Sequence, residues 1–565
     1  MTQDMTSQGF DTIIVGGGAA GCVLANRLSA QSHRSVLLLE AGIDTPPGGE
    51  PADVLDTYAT SYYNDAYFWP GLRVHWRRRD NSPLTGYSQA RLMGGGSSVM
   101  GMIAYRGTPD DYAEWEQMGA SGWGWNDLLP FYRKVETDLD FGGPEHGKEG
   151  LVPIRRTKQD DWAPLSKAIF EYAQERQMPF LADMNTDFRD GYGAVPQSNW
   201  PDKRASSAIC YLNAEVRARK NLTIINGAHA TRFLFDGKRA NGVAARINGE
   251  EKTFSAREVI CSLGGIHSPA FLMRMGIGPA AHLRDHGIEV RQDLPGVGQN
   301  LSNHAIIFLG MLQNRDARQS ERIRPHAMTA FRYSSGLPGA PRNDMYINVQ
   351  CKTSWSPLGM QVANLGPTLL KPMARGQVTL KSKDAPEPLV EFNFTGHDLD
   401  LKRFMQAFRK SVEVLAYEKV RKIIGVTFPV KFNDRLRRLN RINTKNKIQS
   451  AVIAALIDIF PPIAGPIFST LADRKVDLAT LAADDEALAD HIRENVAGTF
   501  HPTGTCRMSG DPSDRHAVVD LQGRVRGIEG LRVIDASLMP TISRGNTNIP
   551  TLMLSEKIAA AITAQ

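Results

Sequence analysis

The sequence predicts an α/β protein whose N-terminal part is a Rossmann-like unit and whose remainder includes an α+β unit with an antiparallel sheet. Three observations carry the first half of that reading. Residues 10–15 (FDTIIV) are a β-rich apolar run of the kind that forms a buried parallel strand. Gly16-Gly17-Gly18-Ala19-Ala20-Gly21 follows and fits G-x-G-x-x-G, and Val23, Leu24, Ala25 and Leu28 continue at helical spacing. Residues 35–39 (SVLLL) then read as a second strand that ends at Glu40.

Each element has a mechanical reason. Gly16 permits the tight turn, Gly18 lets backbone approach a pyrophosphate, and Gly21 lets the helix pack close to the strand. The helix start offers free N–H groups and a positive dipole end to phosphates. Glu40 lies about 20 residues beyond the glycines, where an acid accepts from ribose hydroxyls. The pattern therefore points to a bound dinucleotide, without choosing between FAD and NAD.

Composition bounds the rest. At 565 residues the chain is too long for one compact core and suits two domains or more. Its 42% hydrophobic and 22% charged residues are ordinary for a globular protein. A net charge of +6 spread over so large a surface gives no reason to expect a nucleic-acid partner. The five cysteines (Cys22, Cys210, Cys261, Cys351, Cys506) form no close pair and read as small buried thiols in a reducing compartment. The first residues, MTQDMTSQGF, lack the basic start and apolar core of a signal peptide, so a cytoplasmic location is expected. No His/Cys/Asp/Glu set has zinc-ligand spacing, so no metal is expected. Ser97 and Ser98 sit in no G-x-S-x-G elbow, which argues against a serine hydrolase.

A second glycine cluster, ARLMGGGSSVMGMIAYRG at 90–107, removes side chains where a flat ligand could lie against backbone. With the N-terminal motif, this segment resembles the glucose–methanol–choline (GMC) family of flavin oxidoreductases, including its choline dehydrogenase-like and aryl-alcohol oxidase-like members. Further similar blocks occur at 110–136, 264–279 (GGIHSPAFLMRMGIGP), 294–304 (LPGVGQNLSNH), 501–508 (HPTGTCRM) and 535–552 (DASLMPTISRGNTNIPTL). Three residues depart from the family pattern: Met100 stands where Asn is usual, Met275 where Ser is usual, and Asn303 where Asp is usual.

The resemblance implies FAD as cofactor and an alcohol as substrate. It also implies a base that takes the hydroxyl proton as hydride leaves for flavin N5. Among 13 histidines, His501 matches the family's catalytic His, and Asn546 matches the second polar position, holding the substrate oxygen. His304 and His516 read as structural. Cofactor contacts are implied at Gly16, Gly18, Gly21, Glu40, Met93, Gly94, Gly95, Ser97, Met100, Gly101, Met102 and Ile103. A backbone contact to adenine is implied near Ala230, with further contacts at Asp535, Ala536, Asn546, Thr547 and Asn548. Pro550 suits the first turn of the C-terminal helix and Asn548 caps it, so its positive end faces residues 546–549.

By resemblance, the FAD domain comprises 1–158, 203–308 and 491–565, and the substrate domain comprises 159–202 and 309–490. Residues 344–350, 376–380 and 389–394 read as strands of the substrate domain's antiparallel sheet, and 398–417 as a helix. One stretch, 427–482, is longer than the family connection. It opens with a basic run (Lys431, Arg435, Arg437, Arg438, Arg441, Lys445, Lys447) and continues with the apolar 451–471. Asp458 and three prolines interrupt it, which argues against a spanning helix. Two readings stand: a helical pair at the substrate channel or a subunit interface, or a peripheral contact through 429–471 with the inner face of a membrane.

Aromatic and apolar residues around Trp355, Met345 and Phe500 suggest a primary alcohol on an aromatic or hydrophobic substrate. No acidic cluster suggests a choline site. The electron acceptor, oxygen or a quinone or protein, is left open, as are covalent flavin attachment and oligomeric state. Two other readings are a flavin-containing lyase on the same fold (hydroxynitrile lyase or photodecarboxylase type) and an NAD-binding or non-catalytic protein. Retention of both His501 and Asn546 favours the oxidoreductase.

Overall fold

A computed structural model describes residues 9–431, 434–472 and 477–564. Residues 1–8, which make up most of the N-terminal segment expected to be no signal peptide, lie outside the described residues, as do 432–433 and 473–476 of the long connection.

The N-terminal strand, Gly9–Val15, sits inside a seven-stranded sheet, parallel to Val36–Leu39 on one side and Glu250–Cys261 on the other. Leu222–Ile225 extends the parallel part beyond Val36–Leu39, and Leu531–Val533 pairs parallel with Glu250–Cys261. Ala228–Asp236 and Arg239–Ile247 complete the sheet as an antiparallel meander. The register aligns Val15 with Leu39 and Cys261, and Cys261 with Val533. Gly16, Glu40, Ser262 and Asp535 therefore lie along one carboxyl edge, where open α/β sheets bind ligands.

Seven helices position the site and its surroundings. They are α1 (Ala19–Leu28), α2 (Pro109–Gln117), α3 (Asp398–Ala416), α4 (Asp434–Leu439), α5 (Thr444–Ile459), α6 (Ala464–Ala472) and α7 (Asn548–Thr563). Helix α1 crosses the parallel strands and packs on α7, and the buried Glu556 of α7 takes Arg27 of α1 at 2.7 Å. Gly21 has its expected packing role, since a Cβ there would lie 2.0 Å from the Gly16 carbonyl oxygen. Asn548 does not cap α7. The cap position is Thr547, it makes no side-chain cap bond, and Asn548 is the first helical residue.

A nine-stranded sheet carries the other half, with Leu309–Gln313, Val362–Leu369, Met345–Gln350 and Ala327–Tyr333 as antiparallel neighbours at its centre. Strands alternate their side chains, so this sheet has two unlike faces. Met345, Ile347 and Val349 are packed in the hydrophobic core, whereas Tyr346, Asn348 and Gln350 border a cavity. The expected strands at 376–380 and 389–394 form as Gln377–Thr379 and Leu389–Glu391, but not in this sheet. They join Arg73–His75 and Leu84–Gly86 in a separate four-stranded one.

Sequence spacing showed no metal-ligand set, yet folding converges Glu136, Asp138 and His146 tightly enough to hold an ion. Arg106 pairs with Glu136, and Arg156 bridges Asp138 and Asp183 at 2.6 and 2.5 Å. His146 touches all three carboxylates, and although burial opposes its charge, their hydrogen bonds raise its pKa to about 11. Three carboxylates against two guanidiniums and an imidazolium are balanced, so the group reads as an internal ion network. All five cysteines are buried and free. Among the described residues no helix is long and apolar enough to cross a membrane.

Candidate active site

A single continuous cavity of about 1280 Å³ runs from the glycine turn to the nine-stranded sheet. Its volume exceeds the roughly 300–1000 Å³ usual for a small-molecule site, which suits a dinucleotide together with a substrate space.

The dinucleotide end is built from the carboxyl edge. Gly16 adopts φ +106°, and a Cβ there would lie 2.5 Å from the Ser262 carbonyl oxygen, so only glycine serves. Gly18 faces open space, and a Cβ on Gly95 would come within 3.0 Å of the Gly18 Cα. Two bare stretches of backbone thus flank a slot. Gly18 gives α1 no side-chain cap, so the helix's first N–H groups remain available to phosphate oxygens. Glu40 lies on the cavity wall, where its carboxylate accepts from Gly17 N and Gly42 N, both at 2.8 Å. Burial raises its pKa against those two bonds. Each oxygen keeps a second lone pair for a hydroxyl donor.

Of the other expected cofactor contacts, Gly95, Ser97, Met100, Gly101, Met102, Ile103, Ala230, Asp535, Ala536, Asn546, Thr547 and Asn548 all border the same cavity. Met93, Gly94 and Gly21 lie behind its wall. Met93 is fully buried with its sulfur beside Gly17, and Gly94 N donates to the Gly17 carbonyl at 2.7 Å, holding the two glycine loops together. The Asp535 carboxylate is taken by Gly264 N, Ser268 Oγ and Ser537 N, so it braces its loop. At the far end, the uncapped start of α7 presents N–H groups and a positive dipole end to the cavity. Cleared backbone and a buried acid at one end, and free helix N–H groups at both, fit a dinucleotide flavin.

The catalytic end is assembled by one short strand pair. Ala305–Ile306 runs antiparallel to Ala497–Gly498, which brings the residues just beyond it, His304 and 499–501, side by side. Phe500 has φ +64°, a conformation unusual for a bulky residue, directly before His501. His501 N donates to Asn303 Oδ1 at 3.0 Å, so Asn at this position anchors the histidine backbone without adding a negative charge.

The hydrogen bonds assign the tautomer of His501. His304 Nε2 lies 2.9 Å from the Ser543 carbonyl, which only accepts, so His304 donates there and its Nδ1 is an acceptor. That Nδ1 is 2.9 Å from His501 Nδ1, so His501 carries its proton on Nδ1. Thr499 Oγ1, 2.8 Å from the same nitrogen, donates onward to the His304 carbonyl and so also accepts from it. His501 Nε2 is therefore the acceptor at the cavity wall, where Asn546 Nδ2 donates to it at 3.2 Å. Burial, and then the neighbouring His304, hold the His501 pKa well below its ordinary value, and burial brings His304 down to about 4.

The loop carrying Asn546 is clamped from behind. Asp111 of α2 accepts from Arg544 N at 2.7 Å and Arg544 Nη1 at 2.6 Å. Lys371 Nζ donates to the Ile542 carbonyl at 2.8 Å, and Trp115 Nε1 to the Thr541 carbonyl at 3.0 Å. A Cβ on Gly545 would meet the Arg106 carbonyl oxygen at 2.3 Å, so backbone packs on backbone beside Asn546. Sequence reading passed over the roles of His304, Asp111, Lys371 and Arg544. The one local signal was Thr108-x-x-Asp111, a capping-box pattern, and Asp111 does accept from Thr108 N at 2.9 Å while gripping Arg544.

Two substrate-side expectations need correction. Met345 points away from the cavity into the core, because Tyr346 takes the inward position of the alternation. Trp355 donates its indole N–H to the Asn440 carbonyl at 2.7 Å and is not on the cavity wall. Phe500 does border the cavity, with Tyr62 at 5.6 Å between ring centroids. The roof is polar: Tyr346, Asn348 and Gln350 on one strand, Asn364 and Thr368 on the next. Asn364 Oδ1 is buried without a hydrogen-bond partner.

Replacing His304 by leucine is expected to lower kcat roughly 10–100-fold, the usual cost of removing a group that orients a working histidine, with KM little changed. His304→Gln, which keeps an acceptor, is expected to recover part of that loss, as measured by single-turnover reduction of the cofactor. The folded pKa near 4 lies below the ordinary 6.5, so the stability linked to His304 is full above pH 6.5 and declines as pH falls toward 4. That slope should be absent from acid unfolding of His304→Leu.

Comparison with known proteins agrees with this geometry. Residues 10–306 and 372–555 match the two family models described as GMC oxidoreductase. The chain is 36% identical to the 5-(hydroxymethyl)furfural oxidase of Methylovorus sp. (strain MP688), over 99% of this chain and 100% of that one. It is 32% identical to an alcohol dehydrogenase [acceptor] of Pseudomonas putida, over 98% and 95%. Among solved structures, pyridoxine 4-oxidase from Mesorbium loti superposes with a TM-score of 0.80 at 24% identity, covering 99% of this chain and 100% of that one. The carboxyl-edge glycine cradle and the matches at both ends lead to one conclusion: this chain belongs to the GMC oxidoreductase family and is an FAD-dependent flavoprotein.

Proposed function

We propose that the chain oxidises a primary alcohol to the aldehyde, with His501 as the base and Asn546 holding the substrate oxygen. The observation that carries this is the tautomer of His501: its proton is tied back to His304 and Thr499, and its Nε2 lone pair meets the cavity beside the Asn546 amide. An alcohol there donates its O–H to Nε2 in place of the Asn546 amide, which turns its N–H to the alcohol oxygen. As the C–H bond breaks, His501 takes the hydroxyl proton and becomes an imidazolium, while Asn546 keeps the oxygen in place as it becomes a carbonyl. FAD, when bound, supplies the acceptor for the hydride and its two electrons. The low pKa of His501 keeps the base unprotonated at neutral pH, so turnover is not lost to protonation in that range.

The substrate class rests on the walls. Tyr62 and Phe500 supply flat apolar surface, and the amide-rich roof supplies hydrogen bonds, which together suit an aromatic or heteroaromatic primary alcohol with a polar substituent. The relatives named as acting on 5-(hydroxymethyl)furfural and on alcohols support that class. The same proposal divides the chain into an FAD domain (1–158, 203–308, 491–565) and a substrate domain (159–202, 309–490). The acceptor is oxygen or a quinone or protein, and reoxidation in air separates these.

The test is anaerobic mixing of the FAD-loaded chain with a panel of alcohols, monitoring loss of the oxidised-flavin band, and then admitting air. Bleaching by ring-bearing primary alcohols is expected. Rapid recovery in air means an oxidase, and slow recovery means a dehydrogenase with another acceptor. Failure of every alcohol to bleach the cofactor would overturn the proposal in favour of lyase chemistry on this fold.

A further inference from the structure

Seven of the twelve exposed large hydrophobic side chains among the described residues fall within 439–460. This density is far above the scattered apolar exposure that folded surfaces ordinarily show. The cause is the orientation of α5. Ser450, Ala454 and Ile457 face inward and are buried, while Ile448, Val452, Ala455 and Ile459 recur at three- and four-residue spacing on the opposite face. Ile448, Ile459 and Phe460 are 58%, 82% and 60% exposed. Phe460 lies at the tip, where Pro461–Ile463 turns the chain back into α6.

The same face is strongly basic at its start. Between 434 and 447 the chain has six Lys and Arg residues and one acid, Asp434, and of the six Arg441 is paired with Asp65 at 2.6 Å. Lys445 lies in line with the apolar face of α5 itself, and Arg438 and Lys447 are also exposed. The acid within the apolar stretch, Asp458, is neutralised by Arg318 at 2.5 Å. Ile448 and Val452 also border the active-site cavity.

We propose that α4, α5 and the turn into α6 form a docking surface for an anionic lipid bilayer, with the stripe from Ile448 to Phe460 at the acyl boundary and the basic start of α5 among the headgroups. An exposed apolar helical face with cationic flanks is the chemistry that an interfacial helix uses. A second copy of the chain is disfavoured by charge, because a two-fold contact across this face brings like-charged segments together. The surface goes beyond the alcohol-oxidising reading and does not depend on it, since docking requires no turnover.

The experiment is co-sedimentation of the full FAD-loaded chain with vesicles of phosphatidylglycerol mixed with phosphatidylcholine, and with vesicles of phosphatidylcholine alone, at low and high salt. Binding at least tenfold tighter to the anionic vesicles, weakened by salt, is expected. The double variant Ile459→Glu, Phe460→Glu is expected to lose at least tenfold of that binding, and Lys445→Glu, Lys447→Glu to lose the preference for anionic lipid. Both variants should keep FAD and the unmodified chain's rate of cofactor reduction, because neither pair borders the cavity. No binding to anionic vesicles, binding that survives both variants, or a concentration-dependent dimer abolished by Ile459→Glu, Phe460→Glu would each overturn the proposal.

Discussion

His501→Ala is expected to slow reduction of the cofactor by an alcohol about 10²–10⁴-fold, the range associated with losing a general base, while FAD stays bound. The retention of FAD is expected from distance along the cavity wall: the glycine cradle, Glu40 and the α7 start are left untouched by the change. The loss should fall on the chemical step, because Asn546 still holds the alcohol oxygen and only the proton acceptor is gone. Rapid mixing of the variant with substrate, monitored at the flavin band, reads this directly. A variant that reduced its cofactor at the unmodified rate would remove His501 from the mechanism. Asn546→Ala provides a contrast, since it removes a hydrogen bond and no proton acceptor, so its pH dependence should stay that of the parent.

Asp111→Ala is the change with the largest expected effect on stability. Asp111 is 0% exposed and holds Arg544 through backbone and guanidinium, with Lys371 at 3.3 Å and the cap of α2 on its remaining capacity. Its removal leaves the buried Arg544 guanidinium without its counter-charge, while Lys371 keeps Glu114 at 2.6 Å, a loss on the order of 3–5 kcal/mol. The loop carrying Asn546 is also released, so kcat is expected to fall together with the melting temperature. Burial alone would raise the Asp111 pKa, but Arg544 and Lys371 outweigh it and hold the group below its usual 3.8. A lowered folded pKa means that its contribution is present above the ordinary carboxylate value and is lost as pH falls through the folded one. The gap in melting temperature between the parent and a folded variant that lacks Asp111 should therefore be full at neutral pH and narrow as pH falls below 3.8, and thermal melts across acidic pH would show it.

How much of this was legible before folding depended on whether the information was local. The cradle at Gly16, Gly18 and Gly21, the strand at residues 10–15, and Glu40 lie within about 30 consecutive residues in the βαβ pattern, and each constraint acts between near neighbours. The stretch that forms three helices at 434–472 showed only as a basic run and then an apolar one, which left its exposure open. His501 and Asn546 were recognisable through their motifs, but not their relation, since nothing in either segment states that they lie 3.2 Å apart.

The sequence by itself therefore determined the class of fold and a dinucleotide site, through short-range steric and hydrogen-bond rules written in contiguous residues, and the family and FAD through resemblance across several separated motifs. Tertiary structure alone decided three other things. It set the protonation of His501, through His304 at 197 residues' separation, and the hold on Asn546, through Asp111 at 433 residues from Arg544. It also decided which face of the 345–350 strand borders the cavity: Met345 and Tyr346 are adjacent in sequence, and only packing against α3 and the core sends one inward and the other to the cavity. The physical reason is the same in each case. Burial and long-range pairing set the tautomer, the charge balance and the exposed side of a strand, and neither exists until the chain has folded.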